Sequence, residues 1–112
     1  MKLWVDDIRP APEGWYQARS VNVAKEMIIG NYPNIEIISL DHDSGDYNRF
    51  GGDYINILKW LEEGEYQYNR KIVTFPIQIH SMNPVGVQNM RNIIQHNNWK
   101  EIPFEGFDQK ED

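Results

Sequence analysis

Short apolar runs and helical patterns alternate along the chain. Residues 3–5 and 35–40 are mostly apolar, and both runs stop abruptly at acidic residues. Runs of this kind are typical of parallel strands that are covered on both faces. A third run is broken by Pro76, so we expect the strand itself at 77–80. A short edge strand is also predicted at 16–19.

Three further segments carry apolar residues at helical spacing. The first follows Ser20, a good N-cap, and is predicted to end near Gly30. The second is predicted to begin with Asp53 as its N-cap and to end at Gly64. Residues 65–71 are polar and form either a loop or an irregular continuation of this helix. The third follows Asn83, whose next residue is a proline suited to the first turn of a helix.

The order of these elements predicts an α/β fold with a mostly parallel sheet and right-handed crossovers. A flavodoxin-like strand order, 2-1-3-4, would place the first and central strands side by side in a three-layer sandwich. A fifth strand is doubtful because no apolar run precedes Lys100. We expect one domain over residues 1–112, with 108–112 as a frayed tail.

Composition and charge narrow the classes of function. The formal net charge is −6 and the basic residues are scattered, so no patch suits duplex DNA or anionic lipid. The chain has no cysteine, which excludes disulfides and thiolate metal sites. No apolar stretch approaches the roughly 20 residues of a membrane span, and the N-terminus turns acidic too early for a signal peptide. We therefore expect a cytoplasmic protein.

Two predicted strands end in clusters of acidic residues. Asp6 and Asp7 follow the first strand, and Asp41, His42 and Asp43 follow the central one. Ligands of open α/β sheets bind beyond the carboxyl ends of the strands. Adjacent carboxylates repel unless a cation relieves them, and Mg²⁺ or Mn²⁺ prefers oxygen ligands. We therefore predict a divalent cation on the four aspartates. The alternative is structural: one carboxylate of the first pair caps a turn while the other faces water, and Asp41 and Asp43 only cap backbone amides.

The strand predicted at 77–80 also ends in polar residues. His80 and Ser81 lie at its end, and Asn83 opens the next helix. The Ser81 hydroxyl, Asn83 and the first-turn amides could hold phosphate oxygens. Arg9 could contact a phosphate or neutralise a neighbouring aspartate. His96 is assigned to the surface.

Four segments together resemble a known family, the cyclic-phosphate-processing receiver-like domains, an offshoot of the response-regulator receiver fold. The matching segments are LWVDDIRPAPEGW at 3–15, ISLDHDSG at 38–45, FGGDYI at 50–55 and IHSMNPVGVQNM at 79–90. The resemblance covers most of residues 3–95. It implies a receiver-like α/β sandwich and a role in handling cyclic phosphate ends, in RNA repair or nucleotide metabolism.

The resemblance also implies roles for individual residues. It makes Asp41 the acceptor-like aspartate and Ser81 the hydroxyl residue, beside the acid pair of the first strand. His42 and His80 distinguish the family from ordinary receivers. This chain departs from a signalling receiver, since a proline loop replaces the first helix and no strand ends in lysine. Both departures weaken a phosphorelay interpretation.

The leading hypothesis is a phosphoesterase that acts on a cyclic phosphate of a small nucleotide or RNA end. His42 and His80 would be the acid and base, with Asp41 beside them, because histidine suits both roles near neutral pH. A protein partner would belong to an RNA repair system. The alternatives are a non-catalytic sensor of cyclic nucleotides and a signalling module phosphorylated on Asp41.

Overall fold

Four short parallel strands form the centre of the structure, a computed structural model that describes residues 1–44 and 51–106. The strands are β1 (Lys2–Val5), β2 (Tyr16–Ala18), β3 (Ile37–Leu40) and β4 (Ile77–Ile79). Their order in the sheet is β2-β1-β3-β4. The sequence-based prediction of a parallel, receiver-like sheet is therefore confirmed in both strand positions and strand order.

Three helices connect or follow these strands in the described residues. They are α1 (Val21–Asn31), α2 (Ile55–Tyr68) and α3 (Pro84–His96). As predicted, the Ser20 side chain caps α1, and Asn83 caps α3 ahead of the first-turn proline. None of these helices is long and apolar enough to cross a membrane.

The predicted N-cap of α2 was wrong. Tyr54 occupies the cap position, and the carboxylate of Asp53 instead accepts the backbone amide of Ser44 (3.1 Å). At the other end, the helix takes the longer of the two predicted courses: it continues through Gly64 to Tyr68, and its C-cap Asn69 has the left-handed conformation. Glu65 explains the continuation: its carboxylate accepts the amides of residues 72 and 73 and the indole N–H of Trp99. These tertiary contacts outweigh the local preference of glycine.

The two faces of the sheet carry different residues. The crossovers from β2 to β3 and from β3 to β4 run in the same direction across the sheet, so α1 and α2 lie on the same face. The last helix, α3, packs against α2 on that face. That face carries two apolar rows, Leu3–Ile38–Ile77 and Val5–Leu40–Ile79. Both rows belong to the core that the helices complete. The row between them, Trp4–Ser39–Gln78, points to the opposite side.

A thin third layer covers this opposite side, and in the described residues it is built from loops. The ring of Trp15, from the proline loop, meets Trp4 edge-on at 5.9 Å. Gln17 of β2 anchors the same loop by donating to the carbonyl of Arg9 (3.0 Å). Phe104, from the segment after α3, packs on Trp4 with ring centroids 6.0 Å apart. The tail predicted at 108–112 lies outside the described residues.

The doubtful fifth strand is reduced to one bridge. Ile77 pairs with Glu101 in parallel, through hydrogen bonds of 2.9 Å to the Lys100 carbonyl and from the Ile102 amide. Pro103 follows and has no amide to continue the ladder. Pairing with β4 is therefore limited to this one bridge, and the chain then crosses to the loop layer.

Candidate functional site

The carboxyl ends of β1, β3 and β4 meet at one edge of the sheet. Val5, Leu40 and Ile79 are aligned across the strands, so the residues that follow them emerge side by side. We call the group formed by Asp6, Asp7, Asp41 and Asp43 the acidic rim. The structure thus brings the predicted strand-end residues to one place.

Asp6 is fully buried and is satisfied by donors of the protein itself. Its Oδ1 accepts the amides of Ile8 (2.8 Å) and Arg9 (3.0 Å), and its Oδ2 lies 3.0 Å from Nε2 of His80. Burial alone would raise the pKa of this carboxyl group, but the hydrogen bonds from His80 and from the two amides lower it to about 2. Asp6 therefore caps a turn, the alternative that the sequence left open for the acid pair.

Arg9 lies between two carboxylates of the rim. Its NH1 atom is 3.3 Å from Oδ2 of Asp6 and 3.5 Å from Oδ2 of Asp41. Burial, together with the charge of Asp6, raises the pKa of Asp41, although the His42 amide and Arg9 act in the opposite direction. Arg9 thus neutralises neighbouring aspartates, which is one of the two roles predicted for it.

His80 is enclosed by the protein, with 2% of its surface exposed. Its Nε2 contacts Asp6, and its Nδ1 lies 2.8 Å from the hydroxyl of Ser39. The ring stacks on Trp4 with centroids 3.7 Å apart and planes 5° from parallel. Both nitrogens are thus engaged within the fold.

His42 has a different environment, at the surface of the same edge. Its side chain is partly exposed, and Nδ1 lies 2.7 Å from Oδ1 of Asp43. Its ring packs on Gly86 in the first turn of α3, so closely that a Cβ atom there would overlap it. Asn83, the cap of α3, donates to the same Asp43 oxygen (3.3 Å). His42 is therefore held between a carboxylate and a helix N-terminus.

Asp7, the second member of the acid pair, contacts Tyr54, the N-cap residue of α2. The hydroxyl of Tyr54 lies 3.0 Å from Oδ1 of Asp7 and 3.1 Å from the carbonyl of Arg19. Burial, followed by the charge of Asp7, raises the pKa of the Tyr54 phenol. Tyr54 was not among the predicted site residues; the need of a buried tyrosine hydroxyl for a hydrogen-bond partner was the available signal.

One group of metal-ligating side chains converges within the described residues. Ligand atoms of His42, Asp43 and Asp53 lie within 4.8 Å of one another. Of the four predicted metal ligands, this group includes only Asp43. Asp53 was missed because the sequence made it a helix cap; its position beside two glycines in a turn was the signal that could have found it.

The remaining candidates lie at the two ends of α3. The side-chain oxygen of Asn83 accepts a hydrogen bond from the backbone amide of Gly86 (3.0 Å). The backbone amide of Asn83 donates to the hydroxyl of Ser81 (3.1 Å). Both residues therefore lie beside the rim at the helix N-terminus. His96 is exposed at the other end of the helix, as expected for a surface residue.

Comparison with known proteins agrees with this arrangement. The model of a family described as the cyclic-phosphate processing receiver domain matches residues 1–96. No curated protein and no solved structure matches the chain. The match spans all four strands and α1 to α3. The chain therefore belongs to the family of cyclic-phosphate processing receiver domains.

Proposed function

We propose that this domain is a phosphoesterase that opens a cyclic phosphodiester on a nucleotide or an RNA end. The family supports the handling of cyclic phosphates. The observation that carries the catalytic part is the pair formed by His42 and Asp43, 2.7 Å apart. A carboxylate on Nδ1 orients the imidazole ring and leaves Nε2 to accept or donate a proton. Within the described residues, Nε2 of His42 has no hydrogen-bond partner.

The reaction requires one proton to be removed and one to be supplied. Water forms a bond to phosphorus, the bond from phosphorus to the 2′ or 3′ oxygen breaks, and that oxygen becomes a hydroxyl group. We assign removal of the water proton to His42. We assign protonation of the leaving oxygen to Asp41, because a raised pKa favours a carboxyl group that holds a proton.

The phosphate would lie at the N-terminus of α3. A helix of this length, 13 residues, presents first-turn amides and a favourable dipole to an anion. The Ser81 hydroxyl, the Asn83 side chain and the Arg9 guanidinium are the side chains that we assign to phosphate binding. Arg9 would have to share its charge between the phosphate and the two carboxylates that it already contacts.

A divalent cation, Mg²⁺ or Mn²⁺, remains part of the proposal. The converging group offers carboxylate oxygens of Asp43 and Asp53 beside His42, and hard cations prefer oxygen ligands. Asp6 fits less well, because its oxygens already accept hydrogen bonds from protein donors. When bound, the cation would supply charge that offsets the negative phosphate.

Apolar side chains beside the rim support a nucleoside as the rest of the substrate. Ile8 and Met82 are each 74% exposed, and Val85 is 70% exposed. Ile8 directly follows the acid pair, and Met82 lies between the two phosphate candidates Ser81 and Asn83. Apolar surface next to a phosphate site suits the face of a base.

A non-catalytic sensor is the second candidate, and the enclosure of His80 favours it. If the family chemistry needs two histidines to transfer protons, His80 has no nitrogen that is not already engaged by the fold. Such a domain would bind a cyclic phosphate and leave the chemistry to a partner in an RNA repair system.

Phosphorus NMR of the protein with a 2′,3′-cyclic nucleotide, in the presence of Mg²⁺, Mn²⁺ or a chelator, separates these functions. We expect conversion to one monoester isomer, lost in His42→Ala and retained in the matched surface control His96→Ala. Ligand signals that shift without conversion would favour the sensor. Equal conversion by His42→Ala would contradict the catalytic assignment, and no effect of any kind would direct attention to phosphorylation of Asp41.

A further inference from the structure

A continuous series of polar contacts crosses the sheet face opposite the helices, and it is buried at its His80 end and exposed where Gln78 meets Pro103. The amide of Gln78 donates to the carbonyl of Pro103 (3.4 Å), and its oxygen lies 2.7 Å from the hydroxyl of Ser39. Ser39 in turn contacts Nδ1 of His80, and His80 contacts Asp6. The series therefore links the segment after α3 to the acidic rim.

Ser39 is the least expected member of this series. It lies in β3, the strand between β1 and β4, and it is 0% exposed. Its neighbours along the strand, Ile38 and Leu40, are apolar and equally buried. A buried hydroxyl is costly unless it is hydrogen-bonded, and here it has two partners on the adjacent strand or at its end.

Aromatic residues contact the His80 ring in addition to the hydrogen-bond partners of its two nitrogens. Trp4 stacks on the ring, and Phe104 contacts it with centroids 5.7 Å apart and planes at 53°. Trp4 is itself fixed, since its indole N–H donates to the carbonyl of Arg9 (3.0 Å). The His80 ring can therefore change its rotamer only if Ser39 or one of these aromatic residues moves.

We propose that Ser39 is a positioning residue for the acidic rim, acting through His80. By fixing Nδ1, it holds Nε2 on Asp6, and Asp6 in turn holds Arg9 against Asp41. Gln78 and residues 102–106 complete this support from the other end. The proposal depends on the proposed function only for its effect on turnover; the support itself is a property of the free protein.

The direct test is hydrogen exchange of the His80 ring N–H, measured by NMR on protein with ¹⁵N-labelled histidine. We expect a slowly exchanging N–H in the native protein and exchange about tenfold faster in Ser39→Ala, as for the loss of one buried hydrogen bond. Gln78→Leu, which removes the amide at a half-buried position, should accelerate exchange by a smaller factor. This second variant keeps the test open if Ser39→Ala does not fold.

Ser20→Ala is the matched control. It removes another buried serine hydroxyl, the N-cap of α1, which does not contact this series. If exchange required only global unfolding, Ser20→Ala and Ser39→Ala would accelerate it alike, and the positioning role would be overturned. Unchanged exchange in Ser39→Ala would overturn it as well.

Turnover provides a second readout if the phosphoesterase is active. Ser39→Ala should lower kcat about tenfold, since the rim and Arg9 are misaligned, and it should change KM by a smaller factor, because the phosphate contacts of Ser81, Asn83 and the first turn of α3 remain. If the native protein shows no turnover, the proposed enzyme fails while the exchange experiment still decides the role of Ser39.

Discussion

The two faces of the sheet are built on different principles. The helix face carries rows of apolar side chains that fit against α1, α2 and α3. The loop face carries Trp4, Ser39 and Gln78, and its contacts are hydrogen bonds and stacked rings that lead to the rim. Since burial of apolar surface is non-directional and hydrogen bonds are directional, the first face mainly stabilises the fold and the second mainly orients the site.

The largest effect should come from the helix face. Leu40→Ala removes a fully buried side chain whose neighbours belong to the core. We expect a loss of about 2–5 kcal/mol in the free energy of unfolding, measured by chemical denaturation. A loss below about 1 kcal/mol would mean that this face contributes less than its burial indicates.

On the loop face, Asp6→Asn should cost about 2 kcal/mol at neutral pH, because the pKa of Asp6 falls from 3.8 to about 2 on folding. A lowered pKa contributes stability above its unfolded value, and that stability is lost as the pH falls toward 2. Denaturation of the native and variant proteins should therefore converge between about pH 4 and pH 2. If the free energies of unfolding of the two proteins differed by the same amount at every pH in this range, the ionised form of Asp6 could not be the source of the difference.

Gly86→Ala should separate site geometry from stability. An added Cβ would overlap the His42 ring, so we expect the ring to move and turnover of the cyclic nucleotide to fall about tenfold. Gly30→Ala is the control, because its Cβ would meet nothing within 4 Å. The control should keep full activity and gain up to about 1 kcal/mol of stability. Equal activity of the two variants would contradict the position of His42.

The smallest expected effect has the opposite sign. The raised pKa of Asp41 means that its carboxylate form is disfavoured by folding, so Asp41→Asn should increase stability by less than about 1 kcal/mol at neutral pH. Asparagine can still accept the amide of His42. The gain should disappear as the pH falls below the unfolded pKa of aspartate, where both side chains are neutral. A loss of stability at neutral pH would show that the ion pair with Arg9 dominates.

The positions of the strands and the residues of the rim were predicted from local patterns, namely apolar runs that stop at polar residues. The strand order was predicted by analogy with flavodoxin-like folds, in which the alternation of strands and helices gives a parallel sheet. The C-terminal end of α2 could not be decided from the sequence, because Glu65 makes contacts with residues 72, 73 and 99 that no local pattern indicates.

The enclosure of His80 was also beyond the sequence. It depends on the register that aligns Trp4, Ser39 and Gln78 across three strands, and on where Phe104 lies. In strands of three or four residues, a shift of one residue would point every one of these side chains to the other face. The sequence therefore placed two histidines at strand ends but did not distinguish the enclosed His80 from the partly exposed His42.

We assign different roles to the two histidines, proton transfer to His42 and support of the rim to His80. Rescue of glycine variants by added imidazole distinguishes these roles. We predict that imidazole restores part of the turnover of His42→Gly, whose site is partly exposed to solvent. It should restore none to His80→Gly, whose ring is enclosed between Trp4 and Phe104. Rescue of His80→Gly without rescue of His42→Gly would contradict the assignment.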